Sequence, residues 1–186
     1  HWDRLGERQT FIGPSRLDSG AYDLTQILPP SAPIVRGDEL WFYYTGLKWR
    51  GVFKYIGDYP NGHTEKLPGR DRDCGAVCLA VLRRDGFISL DAGAEEGSVR
   101  TGPFALPPGH LFVNADAGHG SLRAELCDAV GNVLASSAAL QSDQPRAQVA
   151  WDQGELSDLQ GQRVSLRFTL RDASLYSYWF ATSSIK

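Results

Sequence analysis

The carboxyl half of the chain alternates apolar and polar positions with a period of two. The pattern is clearest in RVSLRFTLRD (163–172). There Val164, Leu166, Phe168 and Leu170 fall on one side, and Ser165, Arg167, Thr169 and Arg171 on the other. Such alternation predicts a strand with one buried and one wet face. HLFVNADA (110–117) sets Leu111, Val113 and Ala115 against Phe112 and Asn114. SLRAELCDAVGNVL (121–134) places Leu122, Ala124 and Leu126 on one face, then turns at Gly131-Asn132. RAQVAWD (146–152) and SLYSYWF (174–180) are further short strands, and GELSDLQGQ (154–162) has room for one helical turn. Strands separated by turns about every ten residues predict an antiparallel β-sandwich, jelly-roll-like, over 96–186.

Residues 1–95 are patterned differently. Loops, prolines and aromatic residues dominate, and three strands stand out. ELWFYYTG (39–46) follows the turn RGD. GAVCLAVLRRDGFISLDAG (75–93) predicts a hairpin, two strands joined around RRDG with Asp85-Gly86 as the turn. The boundary between the two regions is expected near GAEEGS (93–98). No internal repeat or low-complexity tract interrupts the chain. The whole therefore predicts an all-β protein.

Eight of the twenty aromatic residues lie between 41 and 59. In LWFYY, Leu40, Phe42 and Tyr44 fall on one face, Trp41 and Tyr43 on the other. Aromatic residues on both faces fit a covered strand, so most of them are expected in the core. Residues 47–73 then join one strand to the next without a strong pattern. So long a connection is often functional. It holds Trp49, Tyr55 and Tyr59 together with Arg50, Lys54, Asp58, Asn61 and His63. Flat rings against sugar C–H groups, with planar polar side chains on the hydroxyls, are what glycan recognition needs. The competing reading folds these rings over the sheet.

The 186 residues suffice for one domain or two small ones with a true core. A net charge of −3 supplies no basic excess to neutralise a phosphate backbone, which argues against nucleic acid as a partner. The longest strictly apolar run, AVCLAVL (76–82), is far too short to cross a bilayer. No methionine and no signal-peptide pattern are present. A cleaved export signal would explain the missing initiator, and so would an excised fragment.

Cys74 and Cys78, four apart on an expected strand, would lie roughly 13 Å from each other, beyond disulfide reach. With Cys127 they are expected as three buried free thiols. His1 could chelate copper through its amine and ring, as in copper-dependent polysaccharide monooxygenases, with a second histidine from His63, His110 or His119. The plainer reading is a surface histidine. Asp116, Asp128 and Asp172 near strand ends could hold a structural calcium, although no EF-type spacing supports one. No other cofactor is expected.

GDELWFYYTG, AVCLAVLRRDGFISLDAG, LFVNADA and VSLRFTLRDASLYSYWF follow one another in an order that resembles the carboxyl-terminal part of bacterial glycosidase-like proteins. These have a five-bladed β-propeller, similar to glycoside hydrolase families 32 and 43, with a terminal β-sandwich. The resemblance implies that 1–95 is a partial propeller-like region, with blade strands and the long aromatic loop, and that 96–186 is the terminal sandwich. GAYDLTQI (20–27) is similar to the family's GSWDSGMI element, which would put Asp23 where a site carboxylate lies. Tyr22, Leu24 and Thr25 depart from it, and the early blades that usually carry catalytic carboxylates have no counterpart.

Glycoside hydrolysis uses two facing carboxylates about 5 to 10 Å apart. Asp23 with Glu39 or Asp73 could serve, or all three could be solvated loop residues. Three functions are thus open. The first is a polysaccharide- or oligosaccharide-binding accessory module of a glycosidase-like protein, secreted or periplasmic, with Trp49, Arg50, Lys54, Tyr55, Tyr59 and His63 on the ligand. The second is a glycan-active enzyme in its own right. The third is a structural or assembly module that self-associates through exposed strand edges.

Overall fold

The structure, a computed structural model, describes residues 9–17, 19–29, 32–48, 57–58, 64–65 and 74–182. It is all-β, with several antiparallel sheets and no α-helix among these residues. The chain forms two compact units, 1–82 and 83–186. The division falls at the end of a strand, whereas the sequence pattern places it at 95/96.

Unit 1 contains β1 (Gln26–Leu28), β2 (Ile34–Arg36), β3 (Glu39–Leu47), β4 (Gly57–Asp58), β5 (Thr64–Glu65) and β6 (Gly75–Arg83) up to its last residue, Arg83, which opens unit 2. β3 is the centre of a four-stranded sheet. β1 pairs with its last residues and β2 with its first, both antiparallel, and β6 also pairs with it. β4 and β5 pair with each other. Gly37, at φ 60°, allows the tight turn that folds β2 back on β3 and sets Arg36 opposite Glu39.

The inner face of β3 buries Leu40, Phe42 and Tyr44, and Phe11 meets Phe42 edge to face at 5.3 Å. The other face is different from the covered strand expected. Trp41 is half-buried and Tyr43 is 43% exposed.

Unit 2 contains β7 (Leu90–Ala92), β8 (Gly97–Arg100), β9 (Phe104–Ala105), β10 (His110–Asp116), β11 (Ser121–Cys127) and β12 (Val133–Ser137). β13 (Asp143–Gln148), β14 (Trp151–Gln153), β15 (Arg163–Arg171) and β16 (Ala173–Ala181) complete it. One sheet runs β13-β10-β16-β7 and another β14-β12-β11-β15-β8, with β9 also on β15. The 3-10 turn Leu156–Leu159 is the single helical turn anticipated.

The alternation in β15 is realised: Val164, Leu166, Phe168 and Leu170 are buried. Across the ladder Phe168 meets Ala124, and Leu166 and Leu170 meet Leu126 and Leu122. A small residue opposite the large ring keeps the layer level. The inner residues of β10, β11, β15 and β16 join one core cluster.

Two expectations are corrected. Residues 75–93 are not a hairpin. The turn exists, with Gly86 N–H donating to the Arg83 carbonyl at 3.0 Å and Asp85 at φ 58°. Its two arms, however, join different sheets: β6 pairs with β3, and β7 with β16. Local turn chemistry fixes a reversal, not the partner of the strands it connects. Likewise 146–152 is not one strand. The Val149 N–H bonds the Leu111 carbonyl and the Ala150 carbonyl accepts from Ala138, so the chain passes from one sheet to the other.

β10 is buried on both faces, although its outer side carries Asn114. Phe112 stacks on Trp179 at 5.7 Å. Asn114 is satisfied where it lies. Its Oδ1 accepts from Arg83 Nη1 at 2.5 Å and its Nδ2 donates to the Arg84 carbonyl at 2.6 Å. Arg83 also pairs with Asp143 and lies 4.8 Å from the Tyr176 ring. Tyr176 is the extra residue where the β10–β16 register shifts.

All three cysteines are free thiols, but only Cys127 is buried; Cys78 is partly covered and Cys74 exposed. Cys74 lies just before β6, and no residue of that strand is fully buried. A small disulfide reagent should therefore label Cys74 at once, Cys78 more slowly and Cys127 only on unfolding. Denatured, unreduced protein should titrate as three thiols; one would contradict the structure.

Candidate functional site

The candidate site is built on the β3 sheet of unit 1. Its inner side is organised by Asp23. A carboxylate that is only 6% exposed requires partners. The Tyr44 hydroxyl donates to Asp23 Oδ2 at 2.7 Å. This hydrogen bond, with a second from Ser15, holds the Asp23 carboxyl below the usual carboxylate range. The same contact, reinforced by burial, pushes the Tyr44 phenol up.

The backbone reinforces the arrangement. Ser15 N–H donates to the Asp23 carbonyl at 3.0 Å, and both the N–H and the hydroxyl of Thr25 reach the Leu47 carbonyl. Gly46 permits the approach. A Cβ there would lie 2.7 Å from the Asp23 Cβ and 2.9 Å from the Cys78 sulfur. The contact also places Cys78 on the same, inner side as Tyr44.

The outer side carries a different constellation. Trp41 and Tyr43, two apart on one face, have ring centroids 6.1 Å apart at 59°. The Trp41 Nε1–H donates to Glu39 Oε2 at 2.7 Å, and the Arg36 guanidinium lies 4.3 Å from the Trp41 ring. The indole is thus fixed by an anion at its edge and a cation over its face. Beside it Tyr43 presents its ring to solvent. The exposed Tyr43 ring, beside an indole capped by the guanidinium and with a carboxylate and a phenol at the rim, can take an apolar ring face and hydrogen-bond its substituents.

The structure does not bring Asp23 and Glu39 together. Asp23 is held by Tyr44 on the inner side of β3, while Glu39 shares the outer side with Trp41. Tyr44 and Glu39 are five positions apart, roughly 17 Å along a strand. Asp73, Trp49, Arg50, Lys54, Tyr55, Tyr59 and His63 lie outside the described residues, as does His1.

His110, at the start of β10, and His119, in the turn after its end, are exposed and separated by the length of that strand. Among the described residues no three His, Cys, Asp or Glu side chains converge as a metal site. Asp128 instead serves its own turn, accepting from the Val130, Gly131 and Asn132 N–H groups and from the Asn132 side chain. These bonds, with that from the Asn132 side chain foremost, keep its carboxyl low.

Sequence reasoning assigned Trp41 and Tyr43 to the core and passed over Arg36. The available signal was the turn at Gly37-Asp38. It sets Arg36 opposite Glu39 and Ile34 opposite Trp41, and so gathers these residues at one end of the sheet.

Comparison of the chain with protein-family models, curated proteins and solved structures gives no match. Among the described residues no helix is long and apolar enough to cross a membrane.

The Tyr44–Asp23 bond carries a pH signature. The folded pKa of Asp23 is depressed, so its contribution to stability is complete above the unfolded carboxylate value and lost as pH falls through the folded one. Tyr44→Phe should destabilise unit 1 by about 1.5–3 kcal/mol at neutral pH, the usual range for a hydrogen bond to a charged group. The deficit should shrink below about pH 4, where Asp23 protonates in the unfolded chain. Urea unfolding of both proteins at pH 7 and pH 3 measures this. An equal deficit at the two pH values would refute the charged bond.

Proposed function

We propose that the chain is a carbohydrate-binding module of a glycosidase-like protein, acting outside the cytoplasm on a polysaccharide or oligosaccharide. In this reading unit 1 is a blade-like piece of a β-propeller and unit 2 a jelly-roll-like β-sandwich. The observation that carries it is the Trp41–Tyr43 pair on the outer side of β3, Tyr43 exposed and Trp41 half-buried, with Arg36 and Glu39 fixing the indole. Sugar rings stack their C–H faces on such surfaces while their hydroxyls take planar polar groups at the rim. In this reading the buried Asp23–Tyr44 pair serves the architecture of unit 1, and the outer side of β3 meets the ligand. The loop residues Trp49, Arg50, Lys54, Tyr55, Tyr59 and His63 follow β3 in sequence and belong to the ligand-contacting set of this proposal.

Affinity electrophoresis through gels containing soluble polysaccharides tests it. The parent should be retarded by at least one glycan. Tyr43→Ala should weaken binding roughly five- to tenfold, because one exposed stacking contact is worth on the order of 1 kcal/mol. Its thermal melt should stay near the parent's, since the ring is exposed. Trp49→Ala, read in parallel, tests the loop. A parent that no glycan retards, or a Tyr43→Ala protein that migrates with the parent on every retarding glycan, would contradict the reading.

A further inference from the structure

In unit 2 the outer face of the β14-β12-β11-β15-β8 sheet is strongly cationic. The residues of β15 that alternate with the buried Val164, Leu166, Phe168 and Leu170 point outward, and three of them are Arg163, Arg167 and Arg171. The ladders bring two more to the same face. Arg123 of β11 lies opposite Thr169, and Arg100 of β8 lies directly opposite Arg167. Arg167 is half-buried and the other four are exposed. Glu125 is the only acidic residue at an outward position of these three strands, and Glu96 adjoins them, 3.8 Å from Arg171. The chain as a whole carries −3, so the cationic excess is local.

A solvated surface ordinarily intersperses the two signs. Like charges directly opposed on neighbouring strands, with Cα atoms about 5 Å apart, destabilise a sheet. Here Arg100 and Arg167 are nonetheless held side by side. Arg100 Nε donates to Ser165 Oγ at 2.7 Å and its Nη2 to the Asp128 carbonyl at 2.9 Å. Arg167 is anchored by Nε alone, which donates to Glu125 Oε2 at 2.5 Å. Arg123 and Arg163 make no ion pair with another described residue.

From this face we infer that unit 2 binds an acidic polysaccharide, with Arg100, Arg123, Arg163, Arg167 and Arg171 on its carboxylate or sulfate groups. The planar guanidinium fork meets two oxygens of such an anion at once. Because Arg100 and Arg167 are already anchored, less side-chain freedom is lost when they bind. Arg163, Arg167 and Arg171 recur every four residues, about 13 Å along the strand, which suits anions repeated along a chain better than one small ion. Ser98, Ser121 and Thr169 lie among them and can hydrogen-bond hydroxyls. No aromatic ring stands at an outward position of these strands. Binding is therefore electrostatic and weakens with salt, unlike stacking on Tyr43. Nucleic acid fits this face less well, since no ring is present to stack a base. The choice of a glycan rests on the carbohydrate reading, but the face uses none of the Trp41–Tyr43 residues.

Retention of the intact chain on immobilised polygalacturonate and dextran sulfate tests this. The parent should bind at least one of the two at low ionic strength and elute with salt. Binding to polygalacturonate alone assigns the face to carboxylates, and to dextran sulfate alone to sulfates. Arg123→Ser and Arg163→Ser remove groups that hold nothing else in place, so each should melt like the parent. Together they should weaken binding roughly tenfold, a few-fold for each exposed ion contact. Arg84→Ser removes the same charge from another exposed part of unit 2 and should bind as the parent does. Tyr43→Ala should also bind as the parent does, so failure of the stacking surface and failure of this face are read separately. A parent that neither anionic gel holds would overturn the inference. So would an Arg84→Ser protein weakened as much as Arg123→Ser, or a Tyr43→Ala protein that alone loses retention. Duplex DNA that displaces the parent as well as the free polysaccharide does would overturn it too.

Discussion

The hydrogen bond from Tyr44 to Asp23 decides which face of β3 is inside. Hydrophobicity alone leaves that open. Leu40, Phe42 and Tyr44 on one side and Trp41 and Tyr43 on the other are both apolar enough to be buried. Because side chains alternate, a slip of one residue would exchange the two sets completely. Asp23 breaks the tie. Its carboxylate is sequestered only where donors meet it, and Tyr44 supplies one at 2.7 Å. Gly46 removes the Cβ that would hold the Asp23 segment off the sheet. The even-numbered face is thereby committed to the interior, and Trp41 and Tyr43 are left outside. The proposed binding surface is thus a consequence of a buried structural carboxylate.

Unit 2 solves its own burial problem differently. Its core is specified by regular alternation in β11 and β15, and the ladder between them sets Ala124 against Phe168 between two Leu–Leu pairs. β10 departs from that pattern because both its faces are covered. There the cost of enclosing Asn114 is offset by hydrogen bonds that use both its carbonyl and its amide. Arg83 supplies one of them and is itself held by Asp143 and Tyr176, so a buried amide and the first residue of the unit fix each other.

What was legible in the sequence was local. The strands of the carboxyl half, the inward residues of β15, the 3-10 turn near 156 and the free thiols all follow from periodicity, turn residues or spacing. What was not legible depended on which strands pair. β6 and β7 look like a hairpin because the Asp85-Gly86 turn is authentic, yet pairing is settled by distant partners, β3 and β16. β1 and β2 are too short to announce themselves and exist because β3 offers them an edge. Asp23 was singled out as a site carboxylate. Nothing in the linear pattern disclosed that Tyr44, 21 positions away, would bind it. The Trp41–Tyr43 surface was mistaken for core because the sequence shows that both faces of β3 are aromatic but not which one the Asp23 segment covers.

Hydroxyl-radical footprinting, read residue by residue by mass spectrometry with and without a retarding polysaccharide, tests the central claim most directly. That claim is that the Asp23–Tyr44 bond turns Trp41 and Tyr43 outward to a glycan. The account predicts that in the free protein Tyr43 is oxidised readily and Tyr44 hardly at all. The polysaccharide should then shield Trp41 and Tyr43 while the exposed Tyr178 of unit 2 stays as reactive as before. Oxidation of Tyr44 ahead of Tyr43, or shielding confined to unit 2, would contradict it.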